Sequence, residues 1–137
     1  MVSVNELENR LIDLAFAEDI GDGDHTTLCC IPEEAFGKAH LVIKERGVLA
    51  GVEVAKNIFY HFDPTLQVQV FINDGSKVKV GDIVMEVSGK IRSLLQTERL
   101  MLNVMQRMSG VATMTNHYVE KLKGTKTHIL DTRKTTP

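Results

Sequence analysis

Apolar positions along the chain change their spacing twice. Near the start, Val4, Leu7, Leu11, Leu14 and Ala15 recur at helical intervals. Ser3 and Glu6, at the head of that run, have the spacing of a capping box, in which a hydroxyl and a carboxylate satisfy exposed backbone N–H groups. The pattern predicts a first helix running to about Ala17, ended by Gly21 and Gly23. From Lys38 to about Lys90 the pattern shortens to strands. Ala39–Lys44 is a strand candidate, and Gly47–Gly51 is a second short apolar segment. Val54, Ala55, Ile58 and Phe59 predict a helix ending near Asp63-Pro64. Leu66, Val68, Val70 and Ile72 alternate with polar residues, the mark of a strand with one buried face. After the turn Asn73-Asp74-Gly75, the segment 77–87 predicts two very short strands about Gly81-Asp82.

From Ser93 to Gly124 the spacing returns to helical. Ser93 and Gln96 read as a second capping box, and Ser109-Gly110 as an interruption. A third helix then carries Val111, Met114, Thr115, Tyr118 and Leu122. Gly124 suits the position after a helix end, and Lys121 and Lys123 suit its negative pole. Thr127–Asp131 reads as a strand.

Composition narrows the class. The chain has 137 residues, 43% hydrophobic and 25% charged, with 16 basic and 18 acidic side chains and a net charge of −2. That balance argues against disorder and against nonspecific nucleic-acid binding. No window approaches the ~18–20 apolar residues of a membrane span. Length suits one domain of ~100–150 residues. Cys29 and Cys30 are adjacent, which disfavours a disulfide between them, and no second pair exists to make a zinc site. Two reduced, partly buried thiols are expected. With no basic and apolar leader pattern at the start, a cytoplasmic protein is expected.

Four places carry candidate chemistry. Counted from the loop 19–27 onward, Asp22, Asp24 and Glu33 stand at the first, third and twelfth positions of a calcium loop, but Thr27 replaces the glycine such a loop needs. A turn using aspartates as acceptors for nearby backbone is the expectation. The hairpin about Gly81-Asp82 is similar to those of biotinyl and lipoyl carrier modules. The flanks of Lys90, Gly89 and Ile91, are not those of a modified lysine, so that likeness is architectural. On the helix after Ser93, at 100° per residue, Leu94, Met101, Met105 and Met108 fall within roughly 20–40° of one line. Glu98 falls inside that stripe and Arg99 at its edge. Glu98 is expected to be an anchor held by a cation or backbone donors. Arg99 can bury its stem and project its planar fork, though taken alone its default reading is a solvated surface arginine. In Asp131-Thr132-Arg133-Lys134-Thr135-Thr136, two cations lie among three hydroxyls. Such a segment suits a polyanionic ligand, or is a solvated basic turn.

Several of these segments occur together in one family. Glu98-Arg99-Leu100-Met101-Leu102-Asn103 reads as "E-R-x-x-L-N", 109–115 as "S-G-x-A-T-x-T", 132–137 as "T-R-K-T-x-P", and 18–26 as "E-D-x-G-x-G-D-x-T". In this order and spacing the chain resembles the quinolinate phosphoribosyltransferases. The resemblance implies an α+β chain: an N-terminal α/β sandwich with its connecting helix over 1–110, then over 111–137 the first strand of a truncated α/β barrel. It implies conversion of quinolinate and phosphoribosyl pyrophosphate to nicotinate mononucleotide, carbon dioxide and pyrophosphate, with magnesium, in NAD synthesis. Arg99 would reach the other subunit's site in a homodimer. Thr132, Arg133 and Lys134 would bind substrate, with Lys134 catalytic, and the metal ligands would lie outside this chain. Family members run to roughly twice this length, so the expectation is a fragment inactive alone. The alternatives are a paralogous phosphoribosyltransferase of the same fold, molybdenum-transport-associated or nicotinate-type, and a non-catalytic carrier or assembly module.

Overall fold

A computed structural model of the chain describes residues 3–132 and 134. Its architecture is α+β. The central strand is β5 (Ile83–Lys90), flanked antiparallel by β1 (Phe36–Val42) and β3 (Gln67–Val70). The register sets Ala39 and Val68 on either side of Val87, and Leu41 and Val70 on either side of Met85. Alternation puts these six side chains on one face, with Met85 and Val87 buried. The other face is polar. There Glu86 meets Lys38 Nζ at 2.7 Å and His40 Nε2 at 2.8 Å, and these contacts hold its carboxyl below the ordinary range.

Two helices cover the apolar face. α3 (Val52–Phe62) buries Val52, Ala55, Ile58 and Phe59, and Asp74 Oδ1 accepts from its first N–H at 2.8 Å. The strand β5 runs without a loop into α4 (Ile91–Leu122), about 48 Å long. Ser93 therefore lies inside the helix, not at its cap. It is buried and donates to Asp63 Oδ2 at 2.6 Å, just beyond the end of α3. The Ser93 hydroxyl, then Thr65, keep the Asp63 carboxyl below the ordinary range against the opposing effect of burial. The stabilisation from a lowered carboxylate pKa is present above the ordinary range and is lost as pH falls through the folded value. Denaturant midpoints between pH 6 and pH 3 are expected to fall less steeply for Asp63→Asn than for the parent.

α4 also passes unbroken through Ser109-Gly110, where an interruption was expected. The reason is a short second sheet, β2 (Gly47–Val48) paired antiparallel with β4 (Lys77–Val78). β2 turns its other side to α4. Val48 N–H donates to Thr113 Oγ1 at 2.9 Å and Ala50 N–H to Ser109 Oγ at 3.0 Å, while Ser109 Oγ donates to the Ala50 carbonyl at 3.1 Å. Four helical residues rise about 6 Å and two strand residues about 6.6 Å, so hydroxyls at i and i+4 match alternate strand positions. Glycine at 47 is required by this approach, because a Cβ there would sit 2.5 Å from Thr113 Oγ1. These bonds offset the cost of roughly 1 kcal/mol for a mid-helix glycine. Thr113→Val is expected to lose about 1–2 kcal/mol in urea denaturation by orphaning Val48 N–H, while Thr113→Ser stays near the parent.

The 77–87 hairpin does not form as expected. β4 and β5 belong to different sheets because the turn between them is bonded elsewhere: Gly81 N–H donates to the Ile43 carbonyl and Ile43 N–H to that of Asp82, both at 2.9 Å.

At the N-terminal end, α1 (Val4–Ile20) is capped by Ser3, whose Oγ accepts from Glu6 N–H at 3.2 Å. Its inward residues are Ile12 and Phe16, the latter 4.9 Å from the Phe62 ring, while Leu7, Leu11 and Leu14 are exposed. A short helix, α2 (His25–Cys30), follows, with Cys29 and Cys30 exposed rather than partly buried. Six residues present little surface for burial, and Thr27 takes the inward position. Beyond α4, residues 127–131 pair with no strand among the described residues. The expected strand is thus not formed there, and Leu130 is 85% exposed.

Candidate functional site

The N-terminal third of α4 meets the junction of α1 and α2. Gly21, at φ 55°, ends α1 and turns the chain, and Gly23 N–H closes on the Ile20 carbonyl at 2.9 Å. Asp24 then caps α2, its Oδ1 accepting from Thr27 N–H at 3.1 Å. This is the aspartate-stabilised turn expected of the loop. Arg92, on the first turn of α4, fastens the far end of α2. Its Nε donates to the Ile31 carbonyl at 2.8 Å and its Nη2 to that of Leu28 at 3.1 Å. Arg92 was not singled out by the sequence reading, since a lone arginine carries no pattern.

This frame carries Arg99. Its side chain is 76% exposed, and its Nη1 lies 3.3 Å from Oδ1 of Asp19, in the last turn of α1. The Asp24 carboxyl is held below its ordinary range chiefly by the Thr27 hydroxyl and N–H, with the charge of Arg99 contributing. Asp19 and Asp24 of the 18–26 motif thus both bear on one arginine. The motif's spacing was visible in the sequence, but its target was not.

Glu98 is a correction. It is exposed, and the buried stripe of α4 is Ser93, Thr97, Met101 and Met105. The wheel centred the stripe on leucine and methionine. The structure shifts it toward Thr97, which is fully buried because its hydroxyl donates to the Ser93 carbonyl at 2.8 Å and needs no outside partner. Glu98 instead borders a groove of about 340 Å³ between β1 and α4, lined by Ala39, Leu41, Leu94 and Leu102 among others. Its apolar lining does not suit a polyanion.

The remaining candidates lie at the other end of α4. Thr132 and Lys134 are exposed, joined by a bond of 3.3 Å from Lys134 N–H to Thr132 Oγ1, with Thr132 N–H donating to Asp131 Oδ1 at 2.7 Å. Arg133 lies outside the described residues. About 35 Å of helix separates Arg99 from Leu122. Among the described residues no hydrogen bond or ion pair joins Arg99 to Thr132 or Lys134. Nor do three His, Cys, Asp or Glu side chains gather there to hold a metal ion. No helix of the described residues is long and apolar enough to cross a membrane.

Comparison with known proteins places this arrangement. Residues 24–109 match the N-terminal domain of quinolinate phosphoribosyl transferase, and residues 111–137 match its C-terminal domain. Quinolinate phosphoribosyltransferase (decarboxylating) 1b of Nicotiana tabacum is 44% identical over 128 residues, 93% of this chain and 36% of that protein. The chloroplastic nicotinate-nucleotide pyrophosphorylase (carboxylating) of Oryza sativa subsp. japonica is also 44% identical, over 93% of this chain and 34% of its own. The crystal structure of NadC from Streptococcus pyogenes superposes with a TM-score of 0.92 at 37% identity, covering 98% of this chain and 49% of that one. The chain thus spans between a third and a half of these relatives. Since one of the two domain matches alone takes in well over half of its residues, the chain belongs to the quinolinate phosphoribosyl transferase family.

Proposed function

We propose that the enzyme carrying this chain transfers the phosphoribosyl group of phosphoribosyl pyrophosphate to quinolinate, releasing pyrophosphate and carbon dioxide and forming nicotinate mononucleotide for NAD synthesis. The observation that carries the proposal is Arg99. It sits in the family motif 98–103, on a rigid helix, three-quarters exposed and paired with Asp19. A guanidinium so presented has donors left for a carboxylate, and a planar fork grips one with two parallel bonds.

In this reading Arg99 projects into the site of a second subunit of a homodimer and takes a carboxylate of quinolinate. Thr132, Arg133 and Lys134 belong to the site on the other side, with Lys134 the catalytic cation. The roughly 35 Å of helix between Arg99 and Leu122, with the second group following that helix in the chain, supports a division of labour between subunits. Converging cations neutralise a dicarboxylate and a pyrophosphate and hold the ring nitrogen in line with the departing group. Displacement passes through an oxocarbenium-like state, and decarboxylation follows. The domain boundary proposed at 110/111 falls inside α4, which then serves both domains as a rigid connection. In this proposal magnesium arrives with the phosphoribosyl substrate, and its protein ligands lie on parts of the enzyme other than this chain. A cytoplasmic setting is part of the same reading, supported by two free, exposed cysteines, as suits a reducing compartment.

The test is a full-length enzyme assayed with quinolinate, nicotinate and a panel of related acids. The proposal expects nicotinate mononucleotide and carbon dioxide in equal amounts from quinolinate, at a kcat/KM well above that for the other acids. Turnover of another acid in preference, with no carbon dioxide released, would assign the chain to a paralogous transferase.

A further inference from the structure

We propose that Asp19 is a positioning residue for this reaction, anchoring the Arg99 guanidinium at Nη1 so that its remaining donors are presented to a substrate carboxylate. The inference rests on the reading of Arg99 as a quinolinate ligand.

Four observations carry it. The closest approach is Nη1 to Oδ1 at 3.3 Å, and among the described residues no hydrogen bond engages Nη2 or Nε, which leaves them for another carboxylate. The pair is also unequal in exposure. The Asp19 side chain is 25% exposed against 76% for that of Arg99, so the carboxylate is the fixed end and the guanidinium the reaching end. The anchor is itself held. Asp19 is in the last turn of α1, and α1 passes through a closed turn into α2, whose end is fastened to α4 by the two Arg92 bonds. Asp19 and Arg99 therefore ride on one frame. Finally, an acid in the last turn of a helix faces the negative pole of the helix dipole, and α1 has no basic residue there to offset it. Helix stability does not account for an aspartate at this position, whereas a cation to hold does.

An arginine without such an anchor must give up side-chain freedom on binding, and a guanidinium misplaced by about 1 Å loses its two-point geometry. The effect belongs in substrate binding, leaving the phosphoribosyl half of the reaction alone.

The experiment uses steady-state kinetics of the full-length enzyme and of four variants: Asp19→Asn, Asp19→Glu, Arg99→Ala and the double variant Asp19→Asn/Arg99→Ala. Asp19→Asn is expected to raise KM for quinolinate about 5- to 20-fold, with kcat and KM for phosphoribosyl pyrophosphate within about twofold of the parent. Asp19→Glu restores most of the loss. The double variant is no worse than Arg99→Ala, since an anchor without its arginine has nothing to hold. If Arg99→Ala leaves the quinolinate KM unchanged, the assignment of Arg99 fails, and this inference with it. If Arg99→Ala raises that KM while Asp19→Asn leaves it unchanged or lowers it, the inference alone fails, and Asp19 is a bystander or a competitor of the substrate. A drop in kcat and in melting temperature together for Asp19→Asn also overturns it, by assigning Asp19 to the fold.

Discussion

Arg99→Ala in the full-length enzyme is expected to raise KM for quinolinate by about 30- to 1,000-fold, on the order of 2–4 kcal/mol, while leaving the melting temperature nearly unchanged. The two halves of that expectation have separate causes. Binding suffers because a carboxylate drawn out of water loses a planar, charged, two-point partner. Stability does not, because the ion pair of Arg99 with Asp19 is exposed at the arginine end, and such pairs contribute about 0–1 kcal/mol. Arg99→Lys separates charge from geometry: it keeps the cation but loses the fork, so it should recover only part of the affinity. Initial rates over a range of quinolinate at saturating phosphoribosyl pyrophosphate, with thermal melts of the same samples, check both halves. A variant that melts early and binds normally would sink the assignment.

The second large effect is expected at the end of the chain. Lys134→Ala and Arg133→Ala should each lower kcat/KM by about 2–4 kcal/mol of transition-state stabilisation, without a comparable change in stability. Lys134 is exposed, and among the described residues its backbone N–H donates to Thr132 Oγ1, so truncating its side chain removes little packing there. The loss should appear in kcat as well as in KM, since charge on the departing pyrophosphate grows as the bond to ribose breaks. Losses confined to KM would make these residues binding groups and no more.

Much of the fold was legible in the sequence where local chemistry decides it. Ser3 and Glu6 marked the start of α1, and the alternation through 66–72 marked a half-buried strand. The apolar positions of α3 were legible for the same reason. The reading failed wherever a distant partner overrides a local signal. Ser93 has the spacing of a cap, but Asp63, thirty residues earlier, takes its hydroxyl. Ser109-Gly110 has the look of a break, but β2 bonds the helix across it. Glu98 lies near the leucine line on a wheel, yet Thr97 is buried, because a hydroxyl can satisfy itself on its own helix and a carboxylate cannot. The strand expected at 127–131 needs neighbours that are not among the described residues. At the site, the residues of the 98–103 and 18–26 motifs were visible, but not that one set holds the other. That link crosses eighty residues and is made only by folding.

The bonding of β2 to α4 has a consequence for the chain's behaviour in crowded solution. A strand at the border of a sheet offers unpaired N–H and carbonyl groups to any passing chain, and such borders are where self-association begins. Here one border of β2 belongs to β4 and the other is closed by the side chains of Ser109 and Thr113. A helix thus stands where a third strand would otherwise be recruited. Variants that strip these hydroxyls should reveal the difference less in their midpoint of unfolding than in their tendency to aggregate as concentration rises.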